Sequence, residues 1–245
     1  MKWPFVIRCS AYRFLSSLGW LLAIVLISVP GDAQTTDQTF RPLTQGEKLT
    51  FLLSWPGGNA LGEASLDAST AGDEIHFQVR AEASLPSYAL RDSFSSVANR
   101  ELCSVSFHQQ LREGKNVGEN SIDYANLASE PKNAARSTSA TKTNTGCARD
   151  PMSFLYYFRS KLAAGQAIES GFIDLNNQVA VSIRAAGNEN LSYRGQQRPT
   201  QKFLVTYSSS GEDTRIEVWF SEDAERLPLR VRVPFPLAVF TAELQ

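Results

Sequence analysis

The chain has 245 residues, of which 42% are hydrophobic and 20% are charged, and its formal net charge is −1. This near balance of charge excludes a typical nucleic-acid-binding protein, because such proteins carry a clustered basic excess. The length is enough for one good core but short for two typical domains.

The N-terminus has the pattern of a secretory signal peptide over residues 1–33. Three basic residues precede an apolar run at 18–29, and the small residues Gly31 and Ala33 follow it. The run of about 12 residues is well short of the roughly 20 needed to span a bilayer, which disfavours a membrane anchor. We expect cleavage near Ala33, export across the inner membrane, a periplasmic location and no membrane span afterwards.

The remaining chain predicts a short arm and one domain. Residues 34–45 are polar with Pro42 and predict a flexible linker. Residues 46–245 predict a single β-rich domain, because short strand patterns follow one another with turn residues between them. Apolar and polar residues alternate at 49–55, 75–83, 103–108, 179–183, 203–207 and 215–233.

Two cysteines, Cys103 and Cys147, remain after signal cleavage. In an oxidising compartment, a lone pair most simply forms a disulfide. A redox pair and two metal ligands are the alternatives, although redox pairs usually have the spacing Cys-x-x-Cys and a zinc site needs about four ligands.

Residues 150–164 are the one segment with clear helix signals. Asp150 is a good N-cap, Pro151 suits the first helical position, and Gly165 suits the position just past the end. The apolar face of this helix contains Phe154, Leu155, Phe158 and Leu162. A second, short helix is predicted around residues 87–91.

The tail predicts a hairpin with one buried and one solvent-exposed face. Its alternating apolar residues are Ile216, Val218, Phe220, Leu229, Val231 and Val233, whereas Trp219 falls on the polar face. The acidic cluster between the two arms, Glu222, Asp223 and Glu225, could bind a hard cation. A solvated turn capped by Ser221 or Asp223 is the simpler interpretation.

These elements predict a mainly β fold, an antiparallel meander curled into a barrel or half-barrel. One helix cannot cover the apolar face of about ten strands, so the sheet must curl or form a two-layer sandwich. The inside of such a curl is either filled by side chains or left as a cavity for an apolar ligand. We expect Phe51, Phe77, Phe107 and Tyr157 to line that ligand site.

No pattern in the sequence predicts catalysis. His76 and His108 lie on the polar phase of their strands, and no nucleophile elbow, zinc-protease helix or phosphate loop occurs. The serine-rich stretch at 137–145 lacks a credible base. We therefore expect a protein that is not an enzyme and that uses neither a cofactor nor a metal.

Several short segments recur in the order typical of one family of exported bacterial proteins. They are Gly46-Glu47-Lys48-Leu49, Gly62-Glu63-Ala64, Asp150-Pro151 through Arg159, Leu162 through Gly165, Trp219 through Arg230 and Thr241-Ala242-Glu243-Leu244. On these segments the chain resembles the family called domain of unknown function 3108. That resemblance implies export from the cytoplasm and a shared fold. It implies no catalytic residues, because the family has no established activity.

The tail hairpin carries a looser likeness. A strand ending in Trp219, an acidic turn and then Leu227-Pro228-Leu229-Arg230 is similar to hairpins of periplasmic lipoprotein carriers and related lipid-sensing regulator domains. Those proteins are half-barrels over an apolar concavity, so this likeness implies a lipid or acyl ligand by fold-level analogy. The alternative is a structural or interaction protein of the cell envelope that docks a protein partner, for example through a basic strip at Arg230 and Arg232.

Overall fold

The computed structural model describes residues 40–85, 88–124, 147–175, 178–209, 212–235 and 238–245. These residues belong to one unit, Gln38–Gln245. The predicted signal peptide, residues 34–39 of the predicted linker and the serine-rich stretch lie outside the described residues. Within the described ranges, no helix is both long and apolar enough to cross a membrane.

Twelve strands and two helices make up the described part of the chain. Their bounds, in chain order, are α1 Arg41–Gln45, β1 Glu47–Ser54, β2 Ala60–Ala71, β3 Glu74–Leu85, β4 Tyr88–Asn99, β5 Ser104–Glu113, β6 Asn116–Asp123, α2 Pro151–Ala163, β7 Ser170–Asp174, β8 Gln178–Tyr193, β9 Gln196–Ser209, β10 Glu212–Ser221, β11 Pro228–Phe235 and β12 Ala238–Leu244.

All twelve strands form one antiparallel meander. The order across the sheet is β6-β5-β4-β3-β2-β1-β12-β11-β10-β9-β8-β7. The first and last strands are neighbours, with Phe51 opposite Leu244, so the two ends of the domain meet in the middle of the sheet. The predicted mainly β meander is confirmed. The ladder remains unclosed between β6 and β7, which places the fold nearer the half-barrel than the sandwich.

The segment before α2 connects β5 with the edge strand β7 across the opening of the sheet. The Ala148 carbonyl accepts from the Ser104 amide at 2.8 Å, and the Arg149 carbonyl accepts from the Asp174 amide at 2.8 Å. The Tyr124 hydroxyl at the end of β6 also donates to the Asp174 carbonyl at 2.6 Å. These contacts join both sides of the opening although β6 and β7 do not pair directly.

A disulfide holds this bridging segment in place. Cys103, in the turn between β4 and β5, is bonded to Cys147, and their Cα atoms are 4.8 Å apart. The predicted pairing of the two cysteines is therefore present in the structure. It ties the start of the bridge to the sheet next to the hydrogen bond of Ser104.

The N-terminus of α2 is capped by the fully buried Asp150, as predicted. Its Oδ1 accepts from the amides of Met152 at 2.8 Å and Ser153 at 3.2 Å. Its Oδ2 accepts from the hydroxyls of Ser96 at 2.6 Å and Ser104 at 2.5 Å. Because β4 and β5 supply these hydroxyls, the same carboxylate starts the helix and attaches it to the inner face of the sheet.

The linker prediction is corrected from Phe40 onwards. Phe40 is only 8% exposed, and residues 41–45 form α1. The Thr70 hydroxyl donates to the Leu43 carbonyl at 2.7 Å, which fixes this helix against β2. Phe40 and Leu43 pack on the main core, so burial of apolar side chains orders a segment whose polar composition suggested flexibility.

The prediction of a short helix around residues 87–91 is wrong. Residues 88–91 begin β4, where Leu90 lies opposite Ala83 and Arg91 lies opposite Glu82 on β3. Pairing with a neighbouring strand overrides the weak local preference of so short a segment.

The tail hairpin has the predicted alternation, with one exception. A register shift between Trp219 and Phe220 interrupts the pairing of β10 with β11. Trp219 lies on the outer face but is only 3% exposed. The Lys202 ammonium lies 4.5 Å from the centroid of the Trp219 ring, and the Trp219 indole N–H donates to Glu189. The outer face is therefore buried at this position, which the alternation alone did not predict.

Candidate functional site: an apolar cavity inside the curled sheet

A cavity of about 390 Å³ lies between α2 and the inner face of the sheet. We call it the apolar cavity, because among the described residues Ser65 is the only lining residue with a polar side chain. The other lining residues are Phe51, Ala64, Leu66, Val79, Pro151, Met152, Phe154, Leu155, Phe158, Ile173, Ile183, Val205, Ile216, Val218, Phe220, Pro228, Val231, Val233 and Ala242.

Strand alternation produces this lining. Every second residue of a strand faces the inside of the curl, so Ile216, Val218 and Phe220 on β10 all point inward. Neighbouring strands continue the apolar surface in register, for example with Ile183 opposite Val205 on β9. The cavity thus follows directly from the period-two pattern of many strands.

The helix forms one wall of the apolar cavity. The Phe158 ring contacts the rings of Phe203 and Phe220, with centroids 5.1 and 5.6 Å apart, which seats the helix on β9 and β10. On the β7 side, a Cβ at Gly171 would lie 2.6 Å from the Phe154 ring. A residue without a side chain is therefore needed where this strand crosses the helix.

A buried ion pair fixes the helix at one end of the sheet, which we call the closed end. Arg159 is fully buried, and its guanidinium pairs with the carboxylate of Glu47 at the start of β1. It also donates through Nε to the Arg226 carbonyl and through Nη2 to the Glu225 carbonyl, both at 3.0 Å. One side chain thus joins α2, β1 and the turn between β10 and β11.

Tyr156 adds to the polar contacts of the closed end. Its hydroxyl donates to Glu47, and its ring packs on Phe77 with centroids 4.6 Å apart. Burial first, and then the charge of Glu47, raise the pKa of Tyr156 well above its ordinary value. The tyrosine therefore stays protonated and serves as a hydrogen-bond donor to the carboxylate.

The opposite end of the curl, which we call the open end, lacks such a plug among the described residues. Leu53 and Trp55 continue the inward series of β1, and Val233 and Phe240 continue those of β11 and β12. All four are only half-buried. The rings of Trp55 and Phe240 are in edge contact at 5.5 Å. The apolar surface of the cavity thus extends towards solvent at this end.

The four aromatic residues predicted to line the ligand site have different positions. Phe51 lines the apolar cavity. Phe77 is packed against Tyr156 in the main core, and Phe107 lies in a separate cluster with Ile122. These two are core residues rather than lining residues.

Tyr157 lies outside the cavity as well. The Arg149 guanidinium lies 3.8 Å from its ring centroid, and the Lys161 ammonium lies 5.5 Å from it. The helix lines the cavity instead through Pro151, Met152, Phe154, Leu155 and Phe158, and the last three of these belong to its predicted apolar face.

The acidic turn has the predicted structural role. Asp223 Oδ1 accepts from the Ser221 hydroxyl at 2.8 Å and from the amides of Glu225 and Arg226 at 3.1 and 3.2 Å. The Ser221 hydroxyl accepts from the Leu227 amide at 2.7 Å. The Asp223 carboxylate and the Ser221 hydroxyl therefore both cap the turn. In the described part of the chain, no group of three histidine, cysteine or acidic side chains could hold a metal.

The two histidines lie apart on the sheet. His76 Nε2 is 3.3 Å from Glu74, and His108 Nε2 is 3.8 Å from Glu119. Both imidazoles are more than a third exposed, at 43% and 37%. Each therefore has the environment of a surface histidine.

A second cavity, of about 780 Å³, lies beyond the C-terminal end of α2. Half of its described lining residues carry polar side chains, and for these we call it the polar cleft: Gln166, Glu169, Ser170, Ser182, Arg184, Gln201 and Arg226. The other half are Leu162, Gly165, Ala167, Ile168, Ile183, Ala185 and Phe203. Ile183 lines both cavities. Phe203 faces the cleft while its ring partner Phe158 faces the apolar cavity, so the partition between them is thin.

The inner face becomes polar on one side of the open end. Asp92 and Glu113 lie on the inward phase of β4 and β5, and Asp92 Oδ1 accepts from the Arg112 amide at 3.1 Å. Burial raises the pKa of Asp92. Burial, and then the charge of Asp92, raise the pKa of Glu113. The apolar surface inside the curl is therefore bounded by two carboxyl groups.

Sequence reasoning missed the ion pair of Glu47 with Arg159. A signal for it exists, because Arg159 lies four residues after Leu155 and three before Leu162, within the apolar stripe of the helix. A cation at such a position needs a buried partner. The identity of that partner depends on the long-range position of β1, which the local pattern does not contain.

Comparisons with known proteins agree on the fold. A family model described as Protein of unknown function (DUF3108) matches residues 50–245. A solved structure, the β-barrel-like protein of domain of unknown function DUF1849 from Brucella abortus, is similar with a TM-score of 0.51 and 8% identity. That match covers 81% of this chain and 94% of the other. No curated protein matches this sequence.

Proposed function

We propose that this chain, which belongs to the family Protein of unknown function (DUF3108), binds the hydrocarbon chain of a lipid in the apolar cavity. The observation that carries the proposal is an unfilled space of about 390 Å³ with an almost wholly apolar lining. Sites for small apolar ligands usually measure about 300–1,000 Å³.

The chemistry of the lining selects for a hydrocarbon. Apolar cavities do not hold water well, since water needs two to four polar partners. Burial of each methylene group contributes about 0.8 kcal/mol, so an acyl chain gains affinity with every carbon that enters. Ser65, the single polar residue of the described lining, offers little to a polar ligand.

The shape of the cavity favours an elongated ligand. Arg159 and Glu47 close one end, and the half-buried Trp55 and Phe240 extend the apolar surface at the other. A chain would lie along α2 and extend towards the open end. Half-buried Met152 and Leu155 would then become fully buried against it.

The proposal describes a binding protein rather than an enzyme. The hydroxyls of Ser96, Ser104 and Ser153 look like a nucleophile cluster, but all three are buried and bonded to Asp150. They cap the helix. The two histidines lie on other parts of the sheet surface, so neither could act as a base for these serines.

The periplasm suits this role. The predicted signal peptide implies export, and a disulfide between Cys103 and Cys147 suits an oxidising compartment. The alternative of docking a protein through a basic strip is weaker, because Arg230 pairs with Glu243 at 2.6 Å and Arg232 with Glu217 at 3.1 Å. Charge reversal of both arginines would abolish partner capture if that alternative held.

The test uses an apolar fluorescent probe, N-phenyl-1-naphthylamine, and its displacement by dodecanol. Ala242→Phe places a ring in the apolar cavity, since Ala242 lines it from β12. We expect this variant to weaken probe binding at least about tenfold, because the ring occupies the space that the ligand needs.

The matched control is Val239→Phe, on the same strand. Val239 is 37% exposed and faces outward, so probe binding should stay within about twofold of the parent. Thermal unfolding of both variants shows that each is folded. The proposal is wrong if the parent protein binds neither probe nor dodecanol, or if both phenylalanine variants lose binding equally.

A further inference from the structure

The polar cleft contains an arginine whose side chain is poorly satisfied. Arg226 lines the cleft, and its buried Nε has no hydrogen-bond acceptor among the described residues. Its Nη1 makes one long contact, 3.4 Å, to the Ser221 carbonyl. A guanidinium has five N–H donors, and a buried donor without a partner is costly.

The backbone holds this arginine in position. The Arg226 amide donates to Asp223 at 3.2 Å, and its carbonyl accepts from Arg159 Nε at 3.0 Å. Its φ of 47° lies in the left-handed region, which the capped turn enforces. The side chain therefore starts from a fixed point at the wall of the cleft. Its Nη1 contacts the Ser221 carbonyl and its Nε is buried, so Nη2 is the donor that a ligand in the cleft can reach.

The other groups of the cleft suit an anion. Arg184 is exposed and adds a second positive charge, and Gln201 supplies an amide. Among the described lining residues, Glu169 is the one with an acidic side chain. A planar guanidinium matches the oxygens of phosphate or carboxylate and binds them more strongly than neutral acceptors.

The cleft is adjacent to the apolar cavity. Ile183 lines both spaces, and the Phe203 ring on the cleft side lies 5.1 Å from the Phe158 ring on the cavity side. One layer of side chains separates a polar site with two arginines from a space for hydrocarbon. An amphiphile has this same division between head and chain.

We propose that the polar cleft binds the phosphate headgroup of the amphiphile whose hydrocarbon chain occupies the apolar cavity, with Arg226 as the principal phosphate ligand. This inference rests on the proposed function and specifies its ligand class as an anionic phospho-amphiphile. The phosphate gains charge-assisted hydrogen bonds from Arg226, and the chain passes beside Ile183.

The test compares three ligands by isothermal titration calorimetry: dodecyl phosphate below its micelle concentration, dodecanol and inorganic phosphate. We expect dodecyl phosphate to bind more tightly than either of the others. Arg226→Gln should lower the affinity for dodecyl phosphate at least about tenfold, as expected for loss of a charged hydrogen-bond donor. The affinity for dodecanol should change by less than about twofold.

Two further variants sharpen the result. Arg226→Lys keeps the charge and should retain an intermediate affinity for dodecyl phosphate. Arg215→Gln removes an exposed outer-face arginine and should leave the affinities for dodecyl phosphate and dodecanol unchanged. The backbone contacts of Arg226 do not need its side chain, so unchanged thermal unfolding of Arg226→Gln confirms that the fold is kept.

The outcomes separate this inference from the proposed function. Binding of dodecanol without any Arg226-dependent gain for dodecyl phosphate overturns the inference alone. Inorganic phosphate binding as tightly as dodecyl phosphate also overturns it, because the site would then take free phosphate. Failure of both dodecyl compounds to bind overturns the proposed function together with the inference.

Discussion

The two ends of the curled sheet are built from different interactions. The closed end contains a fully buried arginine, a carboxylate and a tyrosine hydroxyl that bond one another and the backbone of a turn. The open end contains the half-buried Leu53, Trp55, Val233 and Phe240, which meet through apolar contact.

The difference separates positioning from binding. Hydrogen bonds and ion pairs are directional, so Arg159 and Asp150 define where the helix lies and how it is oriented. The free energy of apolar contact is non-directional and roughly proportional to the area buried. Side chains at the open end can therefore replace contacts with one another by contacts with a ligand. We infer that the closed end sets the shape of the cavity and that the open end accommodates the far end of the hydrocarbon chain.

The largest effect is expected from breaking the closed end. Arg159→Met removes the cation that pairs with Glu47 and the donor to two turn carbonyls, and removal of one partner from a buried pair costs about 3–5 kcal/mol. Urea unfolding measures the loss. Arg215→Met, on the exposed outer face, should stay within about 0.5 kcal/mol of the parent. A loss below about 1 kcal/mol for Arg159→Met would show that the pair does not anchor the helix.

The disulfide is expected to matter next, because it holds the bridge between β5 and β7. Replacing both Cys103 and Cys147 by serine frees a loop with a sequence separation of 44 and should cost about 2–4 kcal/mol. Amide hydrogen exchange at Ser104 and Asp174 should accelerate, since their acceptors lie on the bridge. Unchanged exchange at both amides would contradict a bridging role.

A smaller loss of stability is expected at the open end. Trp55→Ala removes a ring that is only half-buried, so the free energy of unfolding should fall by less than about 2 kcal/mol, compared with about 3–5 for a fully buried aromatic residue. Affinity for dodecanol should fall as well, because the open end loses apolar area for the chain. Val239→Ala on the outer face is the control, and equal dodecanol affinity in both variants would contradict contact between the hydrocarbon chain and this end.

The smallest effect concerns pH. Burial raises the pKa of Asp92, so the folded state keeps this proton to higher pH than the unfolded chain. Stability therefore decreases as pH rises above the ordinary aspartate pKa of about 4 and through the folded value. Asp92→Asn removes this titration and can still accept from the Arg112 amide. We expect a flatter stability profile from urea unfolding between pH 4 and pH 7; an unchanged slope would contradict the shift.

Local features of the chain were predictable because they depend on nearby residues. The cap at Asp150, the alternation of the tail and the capped acidic turn at Asp223 each follow from spacing within a few positions. The curl followed as well, since one helix cannot cover so many one-sided strands.

Contacts between residues that are distant in the chain could not be predicted from the sequence. Alternation shows that Phe51, Phe77 and Phe107 face inward. It does not show which of them packs against the helix and which lines the apolar cavity. That depends on where α2 crosses the sheet, which Arg159 and Glu47 decide. The burial of Trp219 on the outer face likewise depends on Glu189 and Lys202 from other strands.

The most direct test of the account is the position of a bound hydrocarbon. In protein with ¹³C-labelled isoleucine methyl groups, dodecanol is titrated while methyl resonances are followed. We predict saturable shifts for Ile173, Ile183 and Ile216, which line the apolar cavity, and none for Ile75 and Ile122, which are buried in other clusters. Stationary resonances at the first three residues, or equal shifts at all five, would contradict binding in the cavity.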